Sequence, residues 1–344
     1  MEQPGEHHEF ASDNTLGICP EALDALKEAN CGAAESYGDD EWTRRLSESV
    51  RDLFETDCHA YLVFNGTAAN ALALAHVCQS FHCVVCHQQA HIQTDECGAP
   101  EFFTRGSKLL LMGGNAGKID IDEVNVVIAR QPALHAHKPR AISITQATEF
   151  GTVYRRDEID AIADLAQRRE MFLHMDGARF ANAIATLNCA PKEITWQRGV
   201  DVLCFGGTKN GLAAGELVIF FKKELSREFD YRLKQGGQLA SKMRFLAAPW
   251  IGLLGNGAWL RNAQRANAEA RKLAERLKGE AKIDTVLPVE ANAVFVRLPE
   301  ALARNLQARG WRFYKFIEPD VYRLMCSWAT ADAEIDRFIG DVLR

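Results

Sequence analysis

Short apolar runs, separated by stretches with a longer hydrophobic period, organise this chain. Residues 60–64, 84–85, 109–112, 141–145, 171–175, 202–205 and 217–221 are apolar runs of strand length. Between them the spacing changes. Ile159, Ile162 and Leu165 share one face of a helix over 157–168, a small-residue helix covers 68–77, and another covers 179–185. Strands apolar on both faces are covered by helices on both sides, whereas a sheet wetted on one face would alternate. The pattern predicts an α/β fold built on a large, mostly parallel sheet. Ahead of it, Trp42, Leu46, Val50, Leu53 and Phe54 mark an amphipathic helix over 41–55, with Asp39 or Asp40 as its cap.

Beyond Gly236 and Gly237 the pattern turns helical through 240–277. A long amphipathic helix opens at Asn256-Gly257 and runs through Leu260, Ala263, Ala270, Ala274 and Leu277. Strands are expected at 293–298 and 321–326, with a helix over 299–309. This divides the chain into a flexible start at 1–10, a large domain at 11–245, and a smaller C-terminal α/β domain at 246–344 that includes the connecting helix.

Composition narrows the function. The chain has 344 residues, 47% apolar and 25% charged, which suits a water-soluble globular protein with a full core. A net charge of -6 speaks against nucleic acid as the main partner. The start lacks the charged-then-apolar order of a secretory signal, and no apolar run approaches membrane-spanning length. Ten cysteines are scattered, several of them inside apolar runs, as expected for buried thiols in a reducing cytoplasm. Cys83-Val-Val-Cys86, flanked by His82 and His87, lacks the second ligand pair that a zinc site needs, so no metal is expected.

Three places then carry chemistry. Lys209 sits in a glycine-flanked turn between two buried runs, where partial desolvation makes an amine nucleophilic and suited to imine formation. Gly66 and Thr67 end one strand and open a helix, an arrangement that binds anions and above all phosphate, without the lysine of an ATP-binding loop. Asp176 lies at the carboxyl end of the run 171–175, where open α/β sheets bind ligands, and a carboxylate there can hold a pyridine nitrogen protonated. Each alone has a plainer reading: a surface hairpin, a helix cap, an ion pair with Arg179. In this order along a parallel sheet, they describe a site for pyridoxal 5'-phosphate (PLP).

Further motifs stand in order: Ser12-Asp-Asn-Thr15, Tyr37-Gly-Asp-Asp40, Asn65-Gly-Thr-Ala-Ala-Asn70, Ala90-His91, His174-Met-Asp-Gly-Ala-Arg179, Gly207-Thr-Lys-Asn-Gly211, Gly236-Gly-Gln-Leu239 and Tyr322-Arg-Leu324. From about Phe10 to its end the chain resembles the threonine aldolases, PLP-dependent enzymes of the aspartate-aminotransferase fold (fold type I). The resemblance implies cleavage of a β-hydroxy-α-amino acid (L-threonine, L-allo-threonine or phenylserine) to glycine and an aldehyde. It implies Lys209 as the covalent anchor of PLP and Asp176 as partner of the ring nitrogen. Gly66 and Thr67 would hold the phosphate, with Thr208 as a further hydroxyl. A basic residue of a neighbouring subunit would help: Lys242 is carried forward, with Lys234 and Arg244 as alternatives. His91 would stack on the cofactor near the β-hydroxyl proton. Ser12, Arg179 and Arg323 would engage the substrate carboxylate, with Arg179 also bordering the cofactor. Tyr37 would reach across to a neighbour in a homotetramer built from tight dimers. The chain departs from the family at Glu149, which stands where a histidine is often found. A carboxylate there would still accept the hydroxyl proton, with an altered pH dependence and threo/erythro preference. Other fold type I activities remain open beside this one: serine hydroxymethyltransferase, aminotransferase, decarboxylase, or a non-catalytic PLP-binding protein.

Overall fold

Seven strands form one sheet: β1 (His59–Val63), β2 (His82–His87), β3 (Lys108–Met112), β4 (Lys138–Thr145), β5 (Phe172–Gly177), β6 (Val202–Phe205) and β7 (Glu216–Phe220). The structure is a computed structural model and describes residues 8–130 and 134–344. The strand order is β1-β7-β6-β5-β4-β2-β3, and β7 runs opposite to the other six. Its apolar residues are buried on both faces like those of the parallel strands, so hydrophobic pattern alone does not reveal its direction. The registers Thr145 with Asp176 and Asp176 with Cys204 align the carboxyl ends of β4, β5 and β6.

Helices α1 (Pro20–Ala29), α2 (Glu41–Phe54), α3 (Gly66–Val77), α4 (Arg156–Arg168), α5 (Phe180–Leu187), α6 (Arg244–Leu254) and α7 (Ala258–Ala281) surround this sheet. In α2 the Asp40 carboxylate accepts the Thr43 N–H at 2.9 Å, and Leu46, Val50 and Phe54 face inward. The expected helical stretch over 240–277 is two helices, broken where Asn256 takes a left-handed φ of 53°. A second, antiparallel sheet has the order β9-β10-β8, from β8 (Ala293–Arg297), β9 (Tyr314–Ile317) and β10 (Val321–Met325), backed by α8 (Glu300–Ala308) and α9 (Asp332–Val342).

Of the apolar clusters that follow, two are the largest. The larger includes Phe54, Phe180, Phe205, Trp250 and Trp259, and the smaller includes Phe10, Leu273, Leu277, Leu324 and Phe338. Helix α7 passes from one to the other between Ala263 and Ala270. Helix α6 was expected beyond the division at 245/246, yet Ala247, Trp250 and Leu253 bury its apolar face in the larger core. The start of the chain also differs from expectation. Residues 1–7 lie outside the described residues, but His8–Glu9 pairs with Trp311–Arg312, and Phe10 is fully buried 5.5 Å from the Trp311 ring. A large aromatic side chain with a pocket to fill holds these residues in place. Among the described residues, no helix is long and apolar enough to cross a membrane.

Helix α6 crosses α1 at Gly252, where an added Cβ would stand 2.2 Å from the Glu21 carbonyl oxygen. Gly252→Ala is therefore expected to destabilise the fold by about 1–3 kcal/mol through forced separation of the two helices. Denaturant unfolding checks this; an unchanged midpoint would show that the helices yield without cost.

Candidate active site

A cavity of about 220 Å³ opens at the carboxyl ends of the central strands, and Gly66, Thr67, His91, Asp176, Thr208 and Lys209 line it. At one end stands the start of α3. Asn65 caps that helix: its side chain accepts the Ala68 N–H at 2.9 Å and its carbonyl the Ala69 N–H at 3.1 Å. The N–H groups of Gly66 and Thr67 are then the ones an incoming anion meets, at the positive end of the helix dipole. Lys209 is held in the short turn after β6. Gly206 and Gly207 admit no side chain, since a Cβ would lie 2.4 Å from the Ala178 carbonyl oxygen and 2.5 Å from Leu212 respectively. Asn210 donates to the Trp259 carbonyl at 2.8 Å and accepts from Asn262 at 2.9 Å, which pins the turn to α7.

At the other end the Asp176 carboxylate accepts the Ala178 N–H at 3.0 Å and the Asn70 amide at 2.9 Å. The same Asn70 nitrogen lies 2.8 Å from Glu96, and Glu96 lies 2.9 Å from His91 Nδ1. A buried chain, Asp176–Asn70–Glu96–His91, thus joins two lining residues. Burial pushes the Glu96 carboxyl up from its usual range, against hydrogen bonds from His91 and Asn70. For His91, burial pulls the imidazole down, but the Glu96 hydrogen bond and the charges of Asp176 and Glu149 outweigh it, so the net shift is upward. His174, behind Asp176, bridges Ser143 at 2.9 Å and Cys204 at 3.2 Å; burial lowers it to about 4, and it stays neutral.

Arg179 is buried and forks onto Asp13 at 2.8 and 2.9 Å, and Asn292 donates to the same carboxylate at 3.0 Å. Arg323 comes from β10 and lies 4.8 Å and 4.7 Å from the Tyr314 and Phe316 ring centroids, with its Nε unpartnered. Burial, then the neighbouring Arg179, lowers it to about 10, opposed by Glu149 and Asp13. Glu149 therefore sits within electrostatic reach of His91, Arg179 and Arg323.

Ser12 is not on the cavity wall. Its hydroxyl accepts the Asn14 N–H at 3.1 Å and it lines a neighbouring crevice with Met325 and Thr330; Asp13, beside it, is the residue that reaches Arg179. Tyr37 is half exposed, beneath Lys234 at 4.6 Å from its ring centroid. Lys242 is exposed, and Arg244 donates to the Gly32 carbonyl at 3.2 Å. None of Ser12, Tyr37, Lys234, Lys242 and Arg244 lines the cavity.

Sequence reasoning assigned no role to Asp13, Asn70, Glu96 or Glu216. A signal existed for Asn70, a lone amide amid the alanines and leucines of α3, and for Glu216, a carboxylate opening an apolar run. The residues present fit PLP. A helix N-terminus faces one end, a buried carboxylate the other, and an amine stands between them. The buried Asn70 Oδ1 and Glu96 Oε2 near the carboxylate end have no partner within the protein.

Comparison with known proteins follows the same line. A family profile described as beta-eliminating lyase matches residues 9–301. The low specificity L-threonine aldolase of Pseudomonas aeruginosa is 55% identical over 96% of this chain and 94% of its own. That of a Pseudomonas species is 52% identical over 98% of this chain and 97% of its own. A solved threonine aldolase from Leishmania major superposes with a TM-score of 0.92 at 26% identity, covering 97% of this chain and 98% of that one.

Proposed function

The chain belongs to the beta-eliminating lyase family and, within it, to the low-specificity L-threonine aldolases, PLP-dependent lyases that cleave a β-hydroxy-α-amino acid to glycine and an aldehyde; from this we propose which of its residues do the work. One observation carries the assignment: Lys209, Asp176, His91 and the Gly66–Thr67 helix start line one cavity. PLP, when bound, draws away the electron pair left at Cα as the Cα–Cβ bond breaks. Lys209 is the amine that bonds the cofactor covalently. Asp176 holds the proton on the ring nitrogen, with its own orientation set by Asn70 and Ala178. Gly66, Thr67 and Thr208 hold the phosphate, and Lys242 of a neighbouring subunit, on the same surface as Tyr37, completes it in a homotetramer. Reducing the PLP-loaded protein with borohydride and mapping its peptides should place the cofactor mass on Lys209. A label on any other lysine sinks the assignment.

At the substrate end Arg179, fixed by Asp13, and Arg323, with a donor still free, orient the carboxylate. Ser12 assists through the loop it shares with Asp13. His91 takes the β-hydroxyl proton, and Glu96 supports it as carboxylates support catalytic histidines elsewhere. Glu149 is the second acceptor, acting through water.

Glu96→Gln distinguishes the two acceptors. The Glu96 hydrogen bond raises the His91 pKa, so its loss moves the acid limb of kcat/KM to lower pH and reduces kcat by roughly 10²-fold. An acid limb that stays in place in Glu96→Gln and moves in Glu149→Gln would transfer the role to Glu149.

A further inference from the structure

Glu216 lines the same cavity and has no part in the account above. It opens β7 and pairs with Val63, the last residue of β1, while the adjacent Gly215 N–H donates to the Phe64 carbonyl at 3.0 Å. Its carboxyl therefore sits beside the turn that begins α3, at the end assigned to phosphate. From the other side it grips the turn that carries Lys209. The Gly207 N–H donates to Oε2, and the Thr208 hydroxyl shares a hydrogen bond with the same carboxyl. Among the described residues of this chain, Lys209 is the only amine on the cavity wall, and no arginine lines it.

An ionised Glu216 conflicts with a phosphate dianion in two ways. It places like charges side by side with little solvent between them. It also consumes the single hydroxyl proton of Thr208, which then offers the phosphate nothing but lone pairs. A protonated Glu216 removes both conflicts. It still accepts from Gly207 through one oxygen, donates to Thr208 Oγ1 through the other, and frees the Thr208 proton for the phosphate. The geometry points to Glu216 as a positioning residue that takes up one proton from solvent when a phosphate ester binds at the start of α3, redirecting the Thr208 hydroxyl proton from the carboxyl to the phosphate. This rests on the reading of the cavity as a PLP site.

Burial already pushes the Glu216 carboxyl up, against hydrogen bonds from Thr208 and Gly207 and the charge of Lys209. The other titratable groups around it are Cys204 on β6, Asp176 and His91 across the cavity, and the Lys242 of a neighbouring subunit that the proposed function brings to the phosphate; the first turn of α3 brings no charged side chain, and α6 presents Trp250.

Calorimetric titration of the cofactor-free protein in two buffers of different ionisation enthalpy tests this. At about pH 8 the phosphate is already a dianion and takes up no proton itself. PLP is expected to bind with uptake of about one more proton than pyridoxal, which lacks the phosphate. Glu216→Gln, neutral and of the same shape, should abolish that difference. The ratio of wild-type to variant Kd for PLP should then rise with pH by up to about tenfold per unit. Equal uptake for PLP and pyridoxal in the wild type overturns the proposal without recourse to a variant. So does a Glu216→Gln protein that binds PLP more weakly than wild type at every pH. A wild type that binds no PLP overturns the reading of the site itself.

Discussion

Lys209→Ala is expected to lower aldehyde release from L-threonine by on the order of 10⁴-fold or more, with the folded structure retained. The size follows from what the residue does. Its turn is packed against α7 through Asn210, against Ala178 at Gly206 and against Leu212 and Trp250 at Gly207, none of which depends on the lysine side chain. Thermal unfolding should therefore change little, while covalent capture of the cofactor disappears. Among the described residues, no other amine lines the cavity to replace it. Turnover assays on the variant, with its melting curve as control, check both halves; retained turnover would remove Lys209 from the centre of the account.

The second large effect concerns Asp13. Its side chain is 1% exposed and that of Arg179 is 7% exposed, so removing one partner leaves the other buried and unpaired. Asp13→Ala is expected to destabilise the protein by about 3–5 kcal/mol. The substrate KM should rise as well, because Arg179 loses the fork that aims it. Burial alone would push the Asp13 carboxyl up, but Arg179, Lys209 and Asn292 outweigh it and hold it below the usual carboxylate range. A lowered folded pKa means that the stabilisation is fully present above about pH 4 and is lost as the pH falls through the folded value. The stability gap between wild type and Asp13→Asn should accordingly stay constant at neutral pH and close only in strong acid. Denaturant unfolding across pH measures it, and a gap that closes near neutrality would assign the effect to another group.

Much of this was legible in the sequence because burial on both faces writes itself as continuous apolar runs. The seven strands of the large sheet were readable for that reason, α2 from its one-sided period and the break at Asn256 from the Asn-Gly pair; β9, half exposed, carried no such run. The direction of β7 was not, because a buried antiparallel strand carries the same pattern. Lys209, Asp176, Gly66 and Thr67 stood out in the sequence because each lies at or just after a strand end, and the sheet brings strand ends together; His91 entered only through the family resemblance. Their partners were not. Asp13 lies 166 positions from Arg179 and Asn70 lies 106 from Asp176, so only the folded chain pairs them. Glu96 follows His91 by five positions across a loop with no periodicity to mark it. Asp13, beside Ser12, was not singled out for its contact with Arg179, since in a run of polar residues the sequence does not show which side chain turns inward.

The central claim is that this chain breaks the Cα–Cβ bond of a β-hydroxy-α-amino acid at the Lys209 cavity. Incubating the PLP-loaded protein with L-threonine, and measuring acetaldehyde and glycine together, tests it most directly. The two are expected to appear in equal amounts, with the same cleavage from L-allo-threonine and phenylserine. A keto acid in place of glycine, or release of carbon dioxide without an aldehyde, would contradict it.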